Sequence, residues 1–458
     1  MLREYLGDNA GNSPWTIRMS PLSGRGVFAS RDLNPGDVVF RDVPLVLGPR
    51  SGSSSPPICV GCHTMGTSTL EACSHGCGLP VCSTACETAP HHLAECQLLQ
   101  RLGRTEWSMH LLKTVTPLRC LLLPAREKQL LLCLQAHYHP QHGFEQVEFL
   151  RGQAAFSPAD ERFLVQACCV LDANAFETVT PNGSSIRGLF PLAALMNHQC
   201  TPNTNYVYDE KNRMVVRAAV HIPAGTEITD SYTPLLWATL ARRTRLEATK
   251  HFLCSCPRCE DPQEMGARLD ALKCARESCS GFLLSTDPLR ATSKWRCEVC
   301  GLLMPARQVV RIHNTLSGLL SILGSKDPEK IRMVLQKNSE VLPACNQIAV
   351  EMKSSMLWLY GHCEGYIWPE LSDTILAYKE ALCREMLQLV ETLRAGQCRL
   401  RGLYLYELHC TLAEKARRDG QDISQEAITA IQEAARIFQD DVVAPTDVWR
   451  RLQDATNK

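Results

Sequence analysis

Cys254-Ser255-Cys256-Pro257-Arg258-Cys259 places three thiols close together. A zinc ion held by three thiolates still lacks one ligand for a closed tetrahedron. Cys200, inside Asn197-His198-Gln199-Cys200-Thr201-Pro202-Asn203, is the natural fourth. Zinc there would tie the polar Asn-His loop to a distant downstream segment and build a small-molecule pocket between them. A chain carrying this pairing must fold so that both stretches meet, which excludes most simple topologies.

The other cysteines set the compartment. The chain holds 24 cysteines in 458 residues, in uneven clusters. Disulfide scaffolds are usually short secreted chains, whereas Cys-x-x-Cys pairs in an intracellular protein read as zinc ligands. No apolar core follows Met1-Leu2-Arg3-Glu4-Tyr5, so a secretory signal is not expected. A reducing compartment, cytoplasm or nucleus, follows. Leu118 to Leu134 is the richest apolar stretch, but Arg119, Arg126, Glu127 and Lys128 interrupt it, so no membrane span is expected. Lys+Arg and Asp+Glu both total 48, so no overall field draws the chain to nucleic acid.

Strand-like runs appear early. Val27-Phe28-Ala29 and Val38-Val39-Phe40 flank the turn Asn34-Pro35-Gly36-Asp37. Gly48 to Pro57 reads as a flexible linker. Cysteines and histidines crowd residues 59–96, and Leu-rich helical patterns follow around Leu111, Leu121, Leu131 and Phe163 to Val170. Strand alternation returns after Ile186, in Tyr206-Val207-Tyr208, Met214 to Ala218 and Glu227-Ile228-Thr229. From about Arg307 the pattern is helical, with helices expected around 329–342, 346–361 and 370–395. Ala427, Ile428, Ile431, Ala434, Ala435 and Phe438 form one apolar helical face, with Ser424 as N-cap and Gly420 ending the preceding helix. Helix pairs of similar length suggest stacked hairpins of the tetratricopeptide (TPR) kind.

The first cluster reads Cys59-x2-Cys62, Cys73-x3-Cys77, Cys82-x3-Cys86 and His92-x3-Cys96. Eight ligands make two tetrahedral sites, and more than one pairing is open; a module this small needs such bracing. The x3 spacing favours His92 over His91, while His63 and His75 read as solvated loop residues. Cys274-x4-Cys279 and Cys297-x2-Cys300 form a further ribbon-like site, for about four zinc ions in all. The other nine cysteines, at 120, 133, 168, 169, 345, 363, 383, 398 and 410, show no ligand spacing and read mostly as core thiols. Between Ser51 and Gln100 there is no Lys or Arg, while Glu71, Glu87 and Glu95 are present. DNA affinity rests mainly on neutralising phosphates, so this segment is a poor nucleic-acid binder.

The ligand order C-C-C-C-C-C-H-C resembles a MYND zinc finger. That resemblance assigns Cys59, Cys62, Cys82 and Cys86 to one zinc and Cys73, Cys77, His92 and Cys96 to the other, and implies peptide docking. Together with the Asn-His loop and the Cys200/Cys254/Cys256/Cys259 site, the chain resembles the SMYD proteins, SET-domain protein-lysine methyltransferases interrupted by a MYND finger. The added ribbon resembles their insect, SmydA-like branch. The resemblance implies an α+β fold: an N-terminal SET part (1–57), the finger (58–97), a helical insert (98–172), core SET (173–253), post-SET and zinc ribbon (254–304), and a helical TPR-like domain (305–458). It implies S-adenosylmethionine as cofactor, a protein or peptide substrate, a monomer, and a loop threaded through a knot-like crossing.

Residue by residue, Ser23-Gly24-Arg25-Gly26 is similar to the family's N-terminal cofactor motif, where glycines admit close backbone approach. Asn174 in Asn174-Ala175-Phe176 resembles a cofactor-touching asparagine, and Asn197-His198 the pair holding the cofactor's amino-acid and adenine parts. Phe252 is similar to an aromatic that packs on adenine. Tyr232 resembles the catalytic tyrosine, which also borders the cofactor. One position departs from the pattern: Lys250 stands where a second channel aromatic is expected. A cation there would oppose a substrate ammonium and remove an aromatic wall. The competing function is therefore an adaptor in transcriptional repression, with a weak or inactive SET fold acting through protein contacts.

Overall fold

The computed structural model describes residues 13–49, 57–65, 70–101, 108–137, 144–151, 157–179 and 184–456. Four strands precede the finger: β1 (Trp15–Met19), β2 (Arg25–Ala29), β3 (Val38–Asp42) and β4 (Val46–Pro49). Between β2 and β3 the Asn34–Asp37 turn forms as expected, with Gly36 at φ 92° and the Asn34 N–H donating to Asp37 Oδ2 at 2.8 Å. The linker expected over 48–57 is shorter than its composition suggests. Gly48 and Pro49 belong to β4, and 50–56 lie outside the described residues.

The finger contains β5 (Glu71–Ala72), β6 (Pro80–Val81), α1 (Thr84–Glu87) and α2 (Pro90–Arg101). Helices α3 (Met109–Leu122), α4 (Ala125–Leu132), α5 (Phe144–Arg151) and α6 (Pro158–Asn174) make the insert. Helix α6 starts on a capping box, Ser157 with Asp160, which satisfies two N–H groups that a helix start leaves without partners. Then follow β7 (Phe176–Val179), β8 (Ser185–Leu189), β9 (Asn197–His198), β10 (Thr204–Tyr208), β11 (Met214–Ala218) and β12 (Glu227–Asp230).

Pairing joins the two sides of the insertion. The sheets run β1-β2-β12-β9, β10-β11-β3 and β4-β8-β7, so three of the four early strands bond to strands that follow the insert. Val27, Phe40, Val216 and Ile228 share one core with Val170 and Leu171 of α6. Neither sequence stretch could bury its apolar face alone, and one core built from two separated stretches results.

Helix α7 (Thr239–Lys250) and the short α8 (Pro257–Glu260) lead to a four-stranded ribbon, β13 (Leu272–Lys273), β14 (Phe282–Ser285), β15 (Trp295–Cys297) and β16 (Leu303–Met304). The C-terminal helices are α9 (Ala306–Ser317), α10 (Pro328–Lys337), α11 (Gln347–Leu359), α12 (Asp373–Thr392), α13 (Arg399–Asp419), α14 (Gln425–Ile437) and α15 (Val448–Thr456). Gly420 closes α13 in the left-handed region at φ 63°, and Ser424 caps α14 by accepting the Ala427 N–H. Leu283 and Trp295 of the ribbon pack with Val309, Leu316 and Met352, so ribbon and helices share a core. No helix among the described residues is long and apolar enough to cross a membrane.

A buried ion pair joins the finger to the insert, and its arginine also reaches strand β4. Arg119 in α3 donates to both carboxylate oxygens of Glu95, at 2.8 and 3.1 Å, and also to the Leu47 and Val60 carbonyls. The Glu95 side chain is fully buried. Burial alone would raise its pKa, but Arg119 and His92 hold it below the ordinary value. His63, expected in solvent, is half-buried instead, its Nε2 3.0 Å from Arg119. Desolvation brings His63 down to about 3, so it is neutral and accepts.

Removing one partner of a buried pair leaves an uncompensated charge, so Arg119→Met is expected to cost about 3–5 kcal/mol. Chemical denaturation checks this, and adding Glu95→Gln should recover part of the loss. An unchanged unfolding midpoint in Arg119→Met would contradict the linkage.

Candidate active site and metal centres

All sixteen expected metal ligands fall into four groups whose ligand atoms lie within 4.8 Å of one another. These are Cys59/Cys62/Cys82/Cys86, Cys73/Cys77/His92/Cys96, Cys200/Cys254/Cys256/Cys259 and Cys274/Cys279/Cys297/Cys300. A zinc–thiolate distance near 2.3 Å requires sulfurs about 3.8 Å apart in a tetrahedron. Observed separations match: Cys62–Cys82 3.5 Å, Cys73–Cys96 3.9 Å, Cys200–Cys254 3.9 Å and Cys279–Cys297 3.6 Å. His92 presents Nε2 to Cys77 at 3.9 Å, while its Nδ1 faces Glu95 at 3.1 Å, the carboxylate support that fixes a ligating imidazole. His91 turns away, with Nε2 3.1 Å from the Gly61 carbonyl.

The Cys200 group has a supporting shell that sequence reasoning missed. Four thiolates around a divalent ion leave excess negative charge, which is costly in a dry interior. Arg242 of α7, fully buried, donates Nε to Cys200 Sγ at 3.1 Å and Nη2 to Cys259 Sγ at 3.5 Å. Arg258 of α8 donates to the Cys200 carbonyl at 3.1 Å. Glu264 accepts from both arginines, at 2.6 and 3.2 Å, and locks them in place. The one sequence signal was the position of Arg258 inside the Cys254–Cys259 run; nothing in the sequence singled out Arg242.

This anchored group fixes the Asn-His loop. Strand β9 runs parallel to β12, with Asn197 opposite Thr229 and His198 opposite Asp230. Asn197 Nδ2 donates to the Ser23 and Arg25 carbonyls at 3.1 and 3.2 Å and to Glu227 at 2.7 Å. The expected N-terminal motif is thereby bonded directly to the loop. Gly24 needs its left-handed φ of 51°, and a Cβ on Gly26 would collide with the Glu227 carboxylate. Arg25 reaches outward to the Cys133 carbonyl at the end of α4.

His198 is buried and neutral, desolvation bringing its pKa down to about 4. Its Nδ1 accepts the Tyr232 N–H at 3.0 Å, which leaves the proton on Nε2, 3.2 Å from Cys200 Sγ. The Tyr232 hydroxyl donates to the Met196 carbonyl at 2.6 Å. Burial, then the nearby Asp230 and Glu227, push the phenol well above its usual pKa, so it stays protonated. Phe252 is partly exposed, its ring centre 5.9 Å from His198 and 6.5 Å from Tyr232.

Tyr232 also borders two cavities. One, of about 220 Å³, is walled by Asn174, Phe176, Tyr206, Asp230, Tyr232 and Lys250. A larger one, about 540 Å³, continues past Lys250 toward His137, Arg187 and His251. Of the residues expected at the cofactor, Asn174 and Tyr232 line the smaller cavity. Ser23, Gly24, Arg25, Asn197, His198 and Phe252 line neither cavity; contacts through Asn197, and through His198 and Tyr232, gather them instead. Asn174 Nδ2 donates to the Gln135 and Val170 carbonyls, at 2.6 and 2.8 Å.

Lys250 behaves differently from a free cation in the channel. Its Nζ donates to the Ala173 carbonyl at 2.6 Å and lies 3.4 Å from that of Asp172, at the C-terminal end of α6. Those carbonyls lack helical partners, and a cation suits a helix C-terminus. The same Nζ lies 5.6 Å from the Tyr232 ring centre, and burial lowers its pKa. Sequence alone could not show this tether, because the two helices meet only in the fold.

The SET-domain family profile matches residues 24–233. The chain is 32% identical over 429 residues to the SET domain-containing protein SmydA-8, isoform B, of Drosophila melanogaster, covering 89% of this chain and 94% of the relative. It is 30% identical over 330 residues to the histone-lysine N-methyltransferase ASHR1 of Arabidopsis thaliana, covering 65% and 66% of the two chains. Human histone-lysine N-methyltransferase SMYD3 is 25% identical over 293 residues, 59% of this chain and 67% of the relative.

Elemental analysis of the purified protein is expected to find about four zinc ions per chain, one for each ligand group. Two or fewer would contradict the grouping in more than one place.

Proposed function

The chain belongs to the SMYD family, in its insect SmydA-like branch, and from that premise we infer that it is an S-adenosylmethionine-dependent protein-lysine N-methyltransferase. The observation that carries this reading is the convergence of Ser23–Gly26, Asn197-His198, Phe252 and Tyr232 through direct contacts, beside a cavity that Tyr232 also lines. These residues fit the cofactor. Gly24 and Gly26 leave backbone free for close approach, His198 and Phe252 offer ring faces, and Asn197 orders the loop between them.

When bound, the cofactor supplies a methyl group on a sulfonium, an electrophile that needs only an aligned, neutral amine. The protein's part is to hold the acceptor in line and exclude water. Tyr232 remains protonated, so its hydroxyl orients the amine and gives it a polar environment without serving as a base. Phe176 and Tyr206 wall the cavity with ring surface suited to an aliphatic lysine stem. Lys250 lines the same cavity while its ammonium bonds to the end of α6. That tether weakens the case for an inactive adaptor, which rested on a free cation at this position.

The MYND finger, acidic and without Lys or Arg between Ser51 and Gln100, suits peptide docking better than nucleic-acid binding. Thiols held as zinc ligands suit the cytoplasm or nucleus. The chain is read as a monomer.

Purified protein incubated with labelled S-adenosylmethionine and a cell extract is expected to label proteins on lysine. Tyr232→Phe should lower the rate roughly a hundredfold while cofactor affinity is kept. Labelling absent in wild type despite measured cofactor binding would refute the enzyme reading.

A further inference from the structure

The smaller cavity contains an ionisable group with no role so far. Asp230 ends β12, and Thr229 before it bonds toward Asn203 and Gln199. Side chains alternate along a strand, so Asp230 turns the other way, into the cavity wall beside Tyr206 and Tyr232. It is only 5% exposed. A buried carboxylate ordinarily has a cation or several N–H donors. Asp230 has the Ser231 backbone N–H and no ion pair among the described residues.

Its surroundings do not supply the missing cation. Tyr206 and Tyr208 lie near it on β10 and Tyr232 on its own segment, and Glu177 of β7 lines the same cavity. His198, paired with it on β9, is neutral. Lys250 of α7 lines the same cavity, yet its ammonium is held by the α6 carbonyls. The cavity lining therefore carries two carboxylates, the exposed Glu177 and Asp230, of which Asp230 alone is buried.

Resting on the methyltransferase reading, we propose that Asp230 is the counter-ion and proton acceptor for the ammonium of the substrate lysine. The incoming ammonium donates an N–H to the carboxylate, and the proton passes across. Neutral carboxyl and neutral amine result. The amine lone pair then forms a bond to the methyl carbon as the carbon–sulfur bond breaks, and that bonding pair leaves with sulfur. Products are a methylammonium and a thioether, with net charge conserved.

The chemistry suits the environment. Burial raises the Asp230 carboxyl to about 7. That closes about half the gap between an ordinary aspartate and an ordinary lysine, and desolvation of the entering ammonium narrows the rest. A surface carboxylate would be too weak a base for the transfer.

Asp230→Asn in the full chain tests the proposal with two measurements, after its zinc content and melting are matched to wild type. The first needs no cofactor: infrared spectroscopy of protein labelled with ¹³C-aspartate, titrated with and without n-butylamine as a lysine side-chain mimic. Burial also raises Asp42 and Asp270 to about 7, so the expected signature is the one component near pH 7 that n-butylamine moves to lower pH and that is missing in Asp230→Asn. The second is methyl transfer against pH. Wild-type kcat should fall as pH drops below about 7, because the acceptor must be ionised, and Asp230→Asn should lose that inflection and roughly a hundredfold in kcat. Cofactor affinity should not change.

A band indifferent to n-butylamine, or an unchanged kcat and pH profile in Asp230→Asn, overturns the proposal. If n-butylamine moves the band but wild type labels no protein, the cation site stands and the methyltransferase reading fails.

Discussion

The Cys200 metal site is the constraint on which the rest of the active centre depends. Strand β9 contributes just Asn197 and His198, and two residues of parallel pairing cannot hold a loop in place unaided. Zinc at Cys200, Cys254, Cys256 and Cys259 pins the loop from behind, and Arg242, Arg258 and Glu264 make that charged cluster tolerable in a dry interior. From the pinned loop, Asn197 reaches the Ser23–Arg25 backbone and His198 takes the Tyr232 N–H. Metal site, loop, N-terminal motif and Tyr232 thus form one continuous set of contacts.

Tyr232 divides two kinds of chemistry. On one side stand neutral groups, His198 and the ring of Phe252, suited to a flat, polar ligand. The cavity on the other carries the charged groups, with Asp230 buried in its wall and Lys250 bonded to the α6 terminus. Placing the carboxylate there, and holding the resident ammonium away on backbone carbonyls, makes the cavity receptive to a cation.

Groups whose chemistry depends on local spacing were legible in the sequence. All sixteen metal ligands were readable because cysteine and histidine at x2 to x4 intervals have few other uses in a reducing compartment. Asn197, His198 and Tyr232 were singled out by their motifs, and the fold brings His198 and Tyr232 into contact; the last helices were readable from a 3.6-residue apolar period with Ser424 as cap and Gly420 as stop. Partners distant in sequence were not legible. Arg119 sits in a leucine-rich helix, and nothing nearby announces that Glu95 and the Leu47 carbonyl will surround it. Lys250 read as a free charge until the end of α6 was beside it. Nothing in the sequence singled out Asp230, because burial is a property of the fold.

The most direct measurement is calorimetric binding of S-adenosylmethionine to Cys254→Ser, with zinc counted in the same sample. If the metal builds the cofactor site by pinning the Asn-His loop, the variant should lose one zinc, keep the finger and ribbon ions, and bind the cofactor at least about tenfold more weakly. Wild-type affinity in a protein that has lost that zinc would contradict it.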